Sequence, residues 1–272
     1  MNKTIYFIAN WKMNGNHNSI NEIERVSNFF RKNTIYKFKK IIFCPPSNLL
    51  SSFSKKLNSK LIDFGAQDIS KINLHNGPYT GQLSAKMLKD SGANYVIIGH
   101  SEKRLIDEDL KTIKEKINIA LKNKLKIIFC IGENLSQKNK GLSLNVLKKQ
   151  ILSSLDKKKI NFNNLIIAYE PIWSIGTGIV PSNNYLDKIY INLKEFLNKR
   201  INHSKEILQV SLSNNKNIEP LTIDATFFDA AEINNRDIKE IPHPFIIETM
   251  RLFESMPNTE KKKIYFIHLN HT

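Results

Sequence analysis

Residues 95–134 read YVIIGHSEKRLIDEDLKTIKEKINIALKNKLKIIFCIGEN, and this stretch decides the fold class. The apolar run Tyr95–Ile98 does not alternate with polar residues, which is typical of a strand that is buried on both faces. A segment with helical periodicity follows at Asp107–Leu121, and a second apolar run comes at Lys126–Cys130. A strand, a helix and a second strand in this order predict a parallel βαβ unit.

The same alternation extends over most of the chain. Seven apolar runs rich in Ile, Val and Phe are predicted as strands: Ile5–Ala9, Lys40–Phe43, Leu61–Ala66, Tyr95–Ile98, Lys126–Cys130, Leu165–Ala168 and Ile207–Val210. Six segments between them are predicted as helices: Ser19–Arg31, Ser47–Leu57, Ser84–Asp90, Asp107–Leu121, Ser143–Leu155 and Ser182–Ile201. The pattern predicts the α/β class with a parallel sheet, and it fits both a closed barrel and an open, doubly wound sheet.

Polar side chains of the types used in catalysis follow five of the predicted strands. They are Asn10, Lys12, Gln67, His100, Glu102, Glu133 and Glu170. The carboxyl ends of parallel strands meet at one edge of the sheet, and α/β proteins place their functional sites there. We therefore expect these side chains to surround a single site.

Length, charge and cysteine content exclude several classes of protein. The 272 residues allow one large domain or two smaller ones, and 41% hydrophobic residues are enough for a substantial core. The net charge of +16 is carried by lysines, since only six of the 41 basic residues are arginines. Because sequence-specific contacts to nucleic acid depend on bidentate arginine, a solvated surface is favoured over a nucleic-acid partner. With two cysteines, no apolar run long enough for a membrane and no signal peptide, a cytoplasmic protein is expected.

The composition changes towards the end of the chain. Residues 220–272 hold six basic and eight acidic residues, whereas the first 219 hold 35 and 17. Three of the seven histidines and four of the nine prolines also lie in this final segment. These changes predict a boundary within residues 214–220, with one unit at 1–213 and a tail at 214–272.

Several motifs give the first unit a more specific interpretation. They are Asn10-Trp11-Lys12-Met13-Asn14, Gly77-Pro78-Tyr79-Thr80-Gly81-Gln82, Gly99-His100-Ser101-Glu102-Lys103-Arg104, Cys130-Ile131-Gly132-Glu133 and the run from Tyr169 to Gly178. In this order, from residue 4 to about 208, the chain resembles the triosephosphate isomerase family. The resemblance implies a TIM (β/α)₈ barrel that interconverts dihydroxyacetone phosphate and glyceraldehyde 3-phosphate. It also implies a homodimer that uses no cofactor and no metal.

The resemblance assigns roles to four residues at the strand ends. Moving a proton between adjacent carbons requires a carboxylate base, an electrophile on the oxygens and a cation for the anionic substrate. By the resemblance, Glu170 is the base and His100 is the electrophile, acting as a neutral imidazole. Lys12 steadies the phosphate and enediolate charge, and Asn10 helps to orient the site.

Further residues acquire supporting roles in the same way. Pro171 to Thr177 resembles a mobile lid that excludes water, with a backbone N–H of Gly176 offered to the phosphate. Glu102 and Glu133 are expected as buried supports of the site. Thr80 is expected at the tip of a protruding loop, Gly65 to Gln82, that meets the partner subunit.

The tail departs from the family pattern. After its seventh and eighth strands the family has Gly-Gly turns whose N–H groups bind phosphate, but the last glycine of this chain is Gly178. No eighth strand of the family pattern is recognisable either. We therefore expect activity that is severely reduced or undetectable, through weak phosphate binding and incomplete or atypical barrel closure after the seventh strand.

The tail resembles a different family. It is similar to the carboxyl end of metallo-β-lactamase-fold hydrolases, in the branch of the pyrroloquinoline quinone biosynthesis protein B, with Asp224 and His268 matching metal ligands. The main His-x-His-x-Asp-His motif of that family is absent, and two ligands cannot close a zinc site. The tail is also predicted as a strand (Leu221–Phe228), a helix (Pro244–Glu254) and a strand (Ile264–Leu269). The alternatives to an isomerase are a metal-dependent hydrolase fragment and an inactive barrel with a binding role.

Overall fold

A computed structural model describes most of the first 200 residues, one further segment before residue 213 and two segments of the tail. The described residues are 5–32, 39–57, 61–156, 164–175, 177, 179, 181–200, 208–212, 221–223 and 264–269. They contain nine strands: β1 (Ile5–Asn10), β2 (Lys39–Cys44), β3 (Ile62–Ala66), β4 (Tyr95–Ile98), β5 (Lys126–Ile131), β6 (Leu165–Tyr169), β7 (Leu208–Leu212), β8 (Leu221–Ile223) and β9 (Ile264–Leu269). Every neighbouring pair is parallel, and the strands form a closed barrel in sequence order. The predicted barrel fold is confirmed.

Eight helices in the described residues connect and surround the strands. They are α1 (Ile20–Lys32), α2 (Ser47–Lys56), α3 (Ala85–Asp90), α4 (Ser101–Ile106), α5 (Leu110–Lys122), α6 (Leu135–Asn139), α7 (Ser143–Ser154) and α8 (Asn183–Arg200). Six of them coincide with the predicted helices. The other two, α4 and α6, were not expected. In α4 the two apolar residues, Leu105 and Ile106, are adjacent, and α6 has a single one, Leu135, so neither shows a helical period in the sequence.

The core has two layers that follow from the alternation of side chains along each strand. Residues such as Phe7, Phe43 and Ile127 pack outward against the helices. Their neighbours Ile8 and Ile128 belong to a second cluster with Tyr95 and Cys130, which fills the interior of the barrel. Strands buried on both sides explain why the apolar runs lack alternation.

The barrel closes with strands from the tail. β8 pairs with β7 and β9, and β9 pairs with β1 in a register that sets Asn10 opposite Leu269. Both predicted tail strands are therefore present, although β8 has only three residues. Because two strands follow β7, the described ring has nine strands where the resemblance implies eight. The predicted tail helix and Asp224 lie outside the described residues.

None of the helices in the described part of the chain combines the length and the apolarity that a bilayer span requires.

Candidate active site

The ends of β1, β4 and β6 bring the proposed base, electrophile and cation to one rim of the barrel. Nε2 of His100 lies 3.7 Å from Oε2 of Glu170, and both side chains are buried. Nζ of Lys12 lies 2.8 Å from Oε1 of Glu102, whose Oε2 is 3.5 Å from Nδ1 of His100. The four side chains thus form one continuous polar group, as the sequence predicts for residues at neighbouring strand ends.

Local backbone geometry orients His100. It caps the N-terminus of α4, and its Nδ1 accepts a hydrogen bond from the backbone N–H of Glu102 at 3.3 Å. An imidazole whose Nδ1 accepts carries its proton on Nε2 when it is neutral. The preceding residue, Gly99, has φ = +76°, and an added Cβ would lie 3.1 Å from the carbonyl oxygen of Cys130. Glycine thus permits the turn that aims the Nε2–H at the site.

Glu170 follows β6 and is held by the neighbouring strand. Its backbone N–H donates to the carbonyl of Ile131 at 2.8 Å, and the Cys130 thiol donates to Oε1 at 3.3 Å. Burial raises the pKa of the Cys130 thiol well above its usual range, and the negative charge of Glu170 adds to the increase. The thiol therefore remains a neutral donor, and Oε2 is the Glu170 oxygen that faces His100.

Two buried atoms in this pair lack partners. Among the described residues, neither Nε2 of His100 nor Oε2 of Glu170 has a hydrogen-bond partner. Buried polar groups are nearly always satisfied in folded proteins, and exceptions cluster at functional sites. A donor and an acceptor facing each other across 3.7 Å are suited to a ligand that offers an oxygen to one and a proton to the other.

Lys12 and Asn10 lie at the end of β1. The side chain of Asn10 accepts from the backbone N–H of Lys12 at 3.0 Å, which stabilises the turn after the strand. The Lys12 side chain is 9% exposed, but that of Glu102 is 52% exposed. The expectation that Glu102 is buried was wrong, because the residue lies in the first turn of α4 at the barrel rim and reaches sideways to Lys12.

A second group of charged residues, Arg104, Glu108 and Lys116, holds the turn at Gly99 and His100. The Arg104 guanidinium donates to the carbonyls of Gly99 at 2.6 Å and Cys130 at 3.0 Å, linking the ends of β4 and β5. Burial lowers the pKa of Arg104, while neighbouring negative charges oppose that shift. The backbone N–H of Gly99 donates to Oε2 of Glu108 at 3.2 Å, and the other oxygen of Glu108 pairs with buried Lys116.

Glu133 is completely buried and binds the beginning of the segment Pro171 to Thr177, which the sequence predicts as a lid. Its Oε1 accepts from the hydroxyls of Tyr169 (3.0 Å) and Tyr185 (2.6 Å) and from the indole N–H of Trp173 (2.7 Å). Burial raises the pKa of both tyrosines, and the Glu133 carboxylate raises it further. Nζ of Lys138 lies 3.4 Å from the centre of the Trp173 ring. The buried Glu133 thus holds three aromatic side chains together by accepting a hydrogen bond from each of them at one carboxylate oxygen.

The predicted lid, Pro171 to Thr177, is a short segment after β6. Ile172–Ser174 forms a 3₁₀ helix with Trp173 buried, and the hydroxyl of Thr177 donates to the Trp173 carbonyl at 3.0 Å. Gly176 lies outside the described residues. The predicted protruding loop follows β3, where residues 73–82 are all exposed, and Thr80 is among them.

The alternative metal site is not assembled by the described residues. Within those ranges, no three histidine, cysteine or carboxylate side chains form a group that could hold a metal ion. Asp224 lies outside them, and for His268 the structure describes the backbone, which is paired in register with Ala9.

Sequence reasoning missed five residues that contact the site or its supports: Arg104, Glu108, Lys116, Cys130 and Lys138. Arg104 and Cys130 carried a usable signal, because each lies in one of the motifs that support the resemblance. The others contact their partners through packing between strands and helices, which spacing along the chain does not encode.

Comparison with known proteins identifies the family. The profile of the family described as Triosephosphate isomerase matches residues 5–213. The triosephosphate isomerase of Zygosaccharomyces bailii is 36% identical over 203 residues, which cover 74% of this chain and 79% of that protein. The triosephosphate isomerase of Orientia tsutsugamushi (strain Ikeda) is 38% identical over 204 residues, covering 73% and 78%.

A solved structure agrees with the barrel. The crystal structure of triosephosphate isomerase from Bartonella henselae matches with a TM-score of 0.68 and 24% identity, over 97% of this chain and 92% of that one. This likeness concerns the fold alone. The family profile and the sequence relatives carry the assignment: the chain belongs to the triosephosphate isomerase family.

Proposed function

We propose that this chain interconverts dihydroxyacetone phosphate and D-glyceraldehyde 3-phosphate through an enediol(ate), at the site formed by Glu170, His100 and Lys12. The observation that carries the proposal is the pair of buried atoms, Nε2 of His100 and Oε2 of Glu170, which face each other without partners among the described residues. A substrate with a carbonyl oxygen and an acidic C–H bond satisfies both at once.

The geometry supports a proton transfer with a single base. The Glu170 carboxylate removes a proton from one carbon, and the electrons of that C–H bond form the C=C bond of the enediolate. The Nε2–H of His100 donates to the oxygen on which negative charge develops, and Lys12 stabilises this charge and the phosphate. Glu170 then returns the proton to the adjacent carbon. The hydroxyl proton moves between the two oxygens in the same reaction: Nε2 of His100 gives its proton to the former carbonyl oxygen and takes the proton of the former hydroxyl, which becomes the new carbonyl. No cofactor or metal takes part in this scheme.

The proposed enzyme has fewer hydrogen-bond donors for the substrate phosphate than the family pattern provides. The glycines that bind phosphate in the family are absent beyond Gly178, and Gly176 is the one lid residue we assign to that role. A hydrogen bond from an N–H group to a charged phosphate contributes about 1.5–3 kcal/mol. Two lost donors weaken substrate binding by about 10² to 10⁴, so we expect a high KM and a low rate.

We also propose that the chain forms a homodimer through the exposed loop that contains Thr80. Large apolar side chains are exposed elsewhere on the described surface: Met13 is 95% exposed, Leu105 82% and Ile106 77%. A partner subunit that covered these side chains would remove their apolar surface from water. Sedimentation should give a dimer at micromolar concentration, and a monomer at high micromolar concentration would contradict the proposal.

For the tail we propose a separate origin, as the carboxyl piece of a metallo-β-lactamase-fold protein joined near residue 213. The family match ends at that residue, which supports the boundary between 1–213 and 214–272. We propose no metal function for it, and equilibrium dialysis that finds tight, stoichiometric zinc would contradict this.

The two cysteines are free and buried, which supports a reducing, cytoplasmic location.

The proposed activity is tested with a coupled assay on purified protein. The wild type should isomerise glyceraldehyde 3-phosphate with a high KM and a low kcat, and Glu170→Ala should abolish the reaction. A rate that is unchanged in Glu170→Ala would show that the activity arises elsewhere.

A further inference from the structure

Lys12 has an unusual backbone conformation. Its φ is +51°, and Lys124 is the only other non-glycine residue with positive φ among those described. L-residues enter this region at an energetic cost, and they remain there when surrounding contacts hold them. The side chain of this same residue is almost buried and pairs with Glu102. The conformation therefore needs a structural cause.

The side chain of Gln67 supplies one. Its Nε2 donates two hydrogen bonds, to the carbonyl of Lys12 at 2.8 Å and to the carbonyl of Cys44 at 2.8 Å. The amide thereby links the ends of β1 and β2 from the first position after β3. Both acceptors are carbonyl oxygens, so only the NH₂ group can face them, and this fixes the orientation of the amide.

The Gln67 amide and the Asn10 side chain hold the two peptide units that flank the Cα of Lys12, and so restrict the φ and ψ angles between them. Asn10 accepts from the N–H of Lys12, and Gln67 donates to its carbonyl. Without Gln67, the Lys12 carbonyl would lose its donor, and the residue could relax to an ordinary negative φ. Such a rotation moves the start of the side chain and hence the ammonium group.

We propose that Gln67 is a positioning residue for Lys12: it holds the left-handed backbone that places the ammonium group in the active site. The inference rests on the proposed function for its kinetic consequence, but not for its structural one. Gln67 acts through Lys12 and contacts neither Glu170 nor His100 in the structure described above, so its loss should affect substrate binding more than proton transfer.

The test uses the full-length chain with Gln67→Leu, which removes both donors, and Gln67→Glu, which keeps a polar side chain if the first variant does not fold. Asn145→Leu, which replaces an exposed amide side chain on α7, is the control. In a crystal structure of either Gln67 variant, φ of Lys12 should become negative. A Lys12 that keeps its positive φ and its contact with Glu102 would overturn the inference, whether or not the protein is active.

The kinetic readout separates positioning from general destabilisation. Two neutral hydrogen bonds correspond to about a tenfold to hundredfold loss in kcat/KM, which should appear mainly in KM. The same substitution in a Lys12→Met background should have little further effect, because the group that it positions is gone. Additive losses would overturn the inference. A wild type without isomerase activity would instead overturn the proposed function, and the crystal structure would still decide on Gln67.

Discussion

The substitution Gly132→Ala, which adds a methyl group, tests whether the position of Glu170 depends on the close contact between the main chains that follow β5 and β6. An ideal Cβ on Gly132 would lie 1.9 Å from the carbonyl oxygen of Glu170, and real Cβ atoms do not come within 3.0 Å of such an atom. In Gly132→Ala the two main chains must therefore separate by about 1 Å, and the base moves with its backbone. A displacement of 1 Å costs about 100-fold in rate.

The effect should appear in catalysis more than in folding. We expect kcat of Gly132→Ala to fall about 100-fold in the coupled assay, while the overpacked site costs about 1–3 kcal/mol in the free energy of unfolding. Gly77→Ala is the control, since its new Cβ would meet the exposed ring of Tyr79 and, at an ordinary contact distance of 3.8 Å, the exposed side chain of Leu74. A Gly132→Ala enzyme whose kcat stays within threefold of wild type would refute the argument that backbone contact positions Glu170.

Three further predictions concern the supports of the site. Lys138→Met removes a cation over the Trp173 ring, worth about 1 kcal/mol, and should lower kcat/KM about fivefold, whereas Lys138→Arg should not; equal effects would exclude the cation–π contact. Lys116→Met leaves Glu108 buried without its cation and should cost about 3–5 kcal/mol in urea unfolding. Removing the exposed ion pair between Lys86 and Asp90 by Lys86→Met should cost under about 1 kcal/mol in the same experiment. A loss similar to that of Lys116→Met would contradict the role of burial. Burial raises the pKa of both cysteine thiols, so Ellman's reagent at pH 8 should label them only in denaturant; rapid labelling of the native protein would be inconsistent with the structure.

The fold could be predicted because its strands are buried on both faces. The run Tyr95–Ile98 is uniformly apolar in the sequence and uniformly buried in the structure. The tail was harder, because the resemblance to the barrel family ends before it. Its two strands were expected from their apolar runs, and the described residues Leu221–Ile223 and Ile264–Leu269 lie in strands that pair with each other.

The functional side chains that directly follow a strand could be predicted from the sequence. His100 and Glu170 were expected together on that basis, and they lie 3.7 Å apart across 70 residues of sequence. Side contacts were not predictable in the same way. The thiol of Cys130 contacts Glu170 because β5 and β6 pair in a particular register, which the sequence does not specify. The exposure of Glu102 depends on the direction of α4 relative to the barrel, which the sequence does not specify either.

The central claim is that Glu170 transfers a proton between substrate carbons in this chain. The most direct measurement is ¹H NMR of glyceraldehyde 3-phosphate incubated with the protein in D₂O at high substrate concentration. A carboxylate that exchanges its proton with solvent should place carbon-bound deuterium in the dihydroxyacetone phosphate formed. We predict this deuterium for the wild type and its loss, by a factor of about 10³ or more, in Glu170→Gln. No isomerisation above buffer, or deuterium incorporation that is equal in the two proteins, would contradict the account.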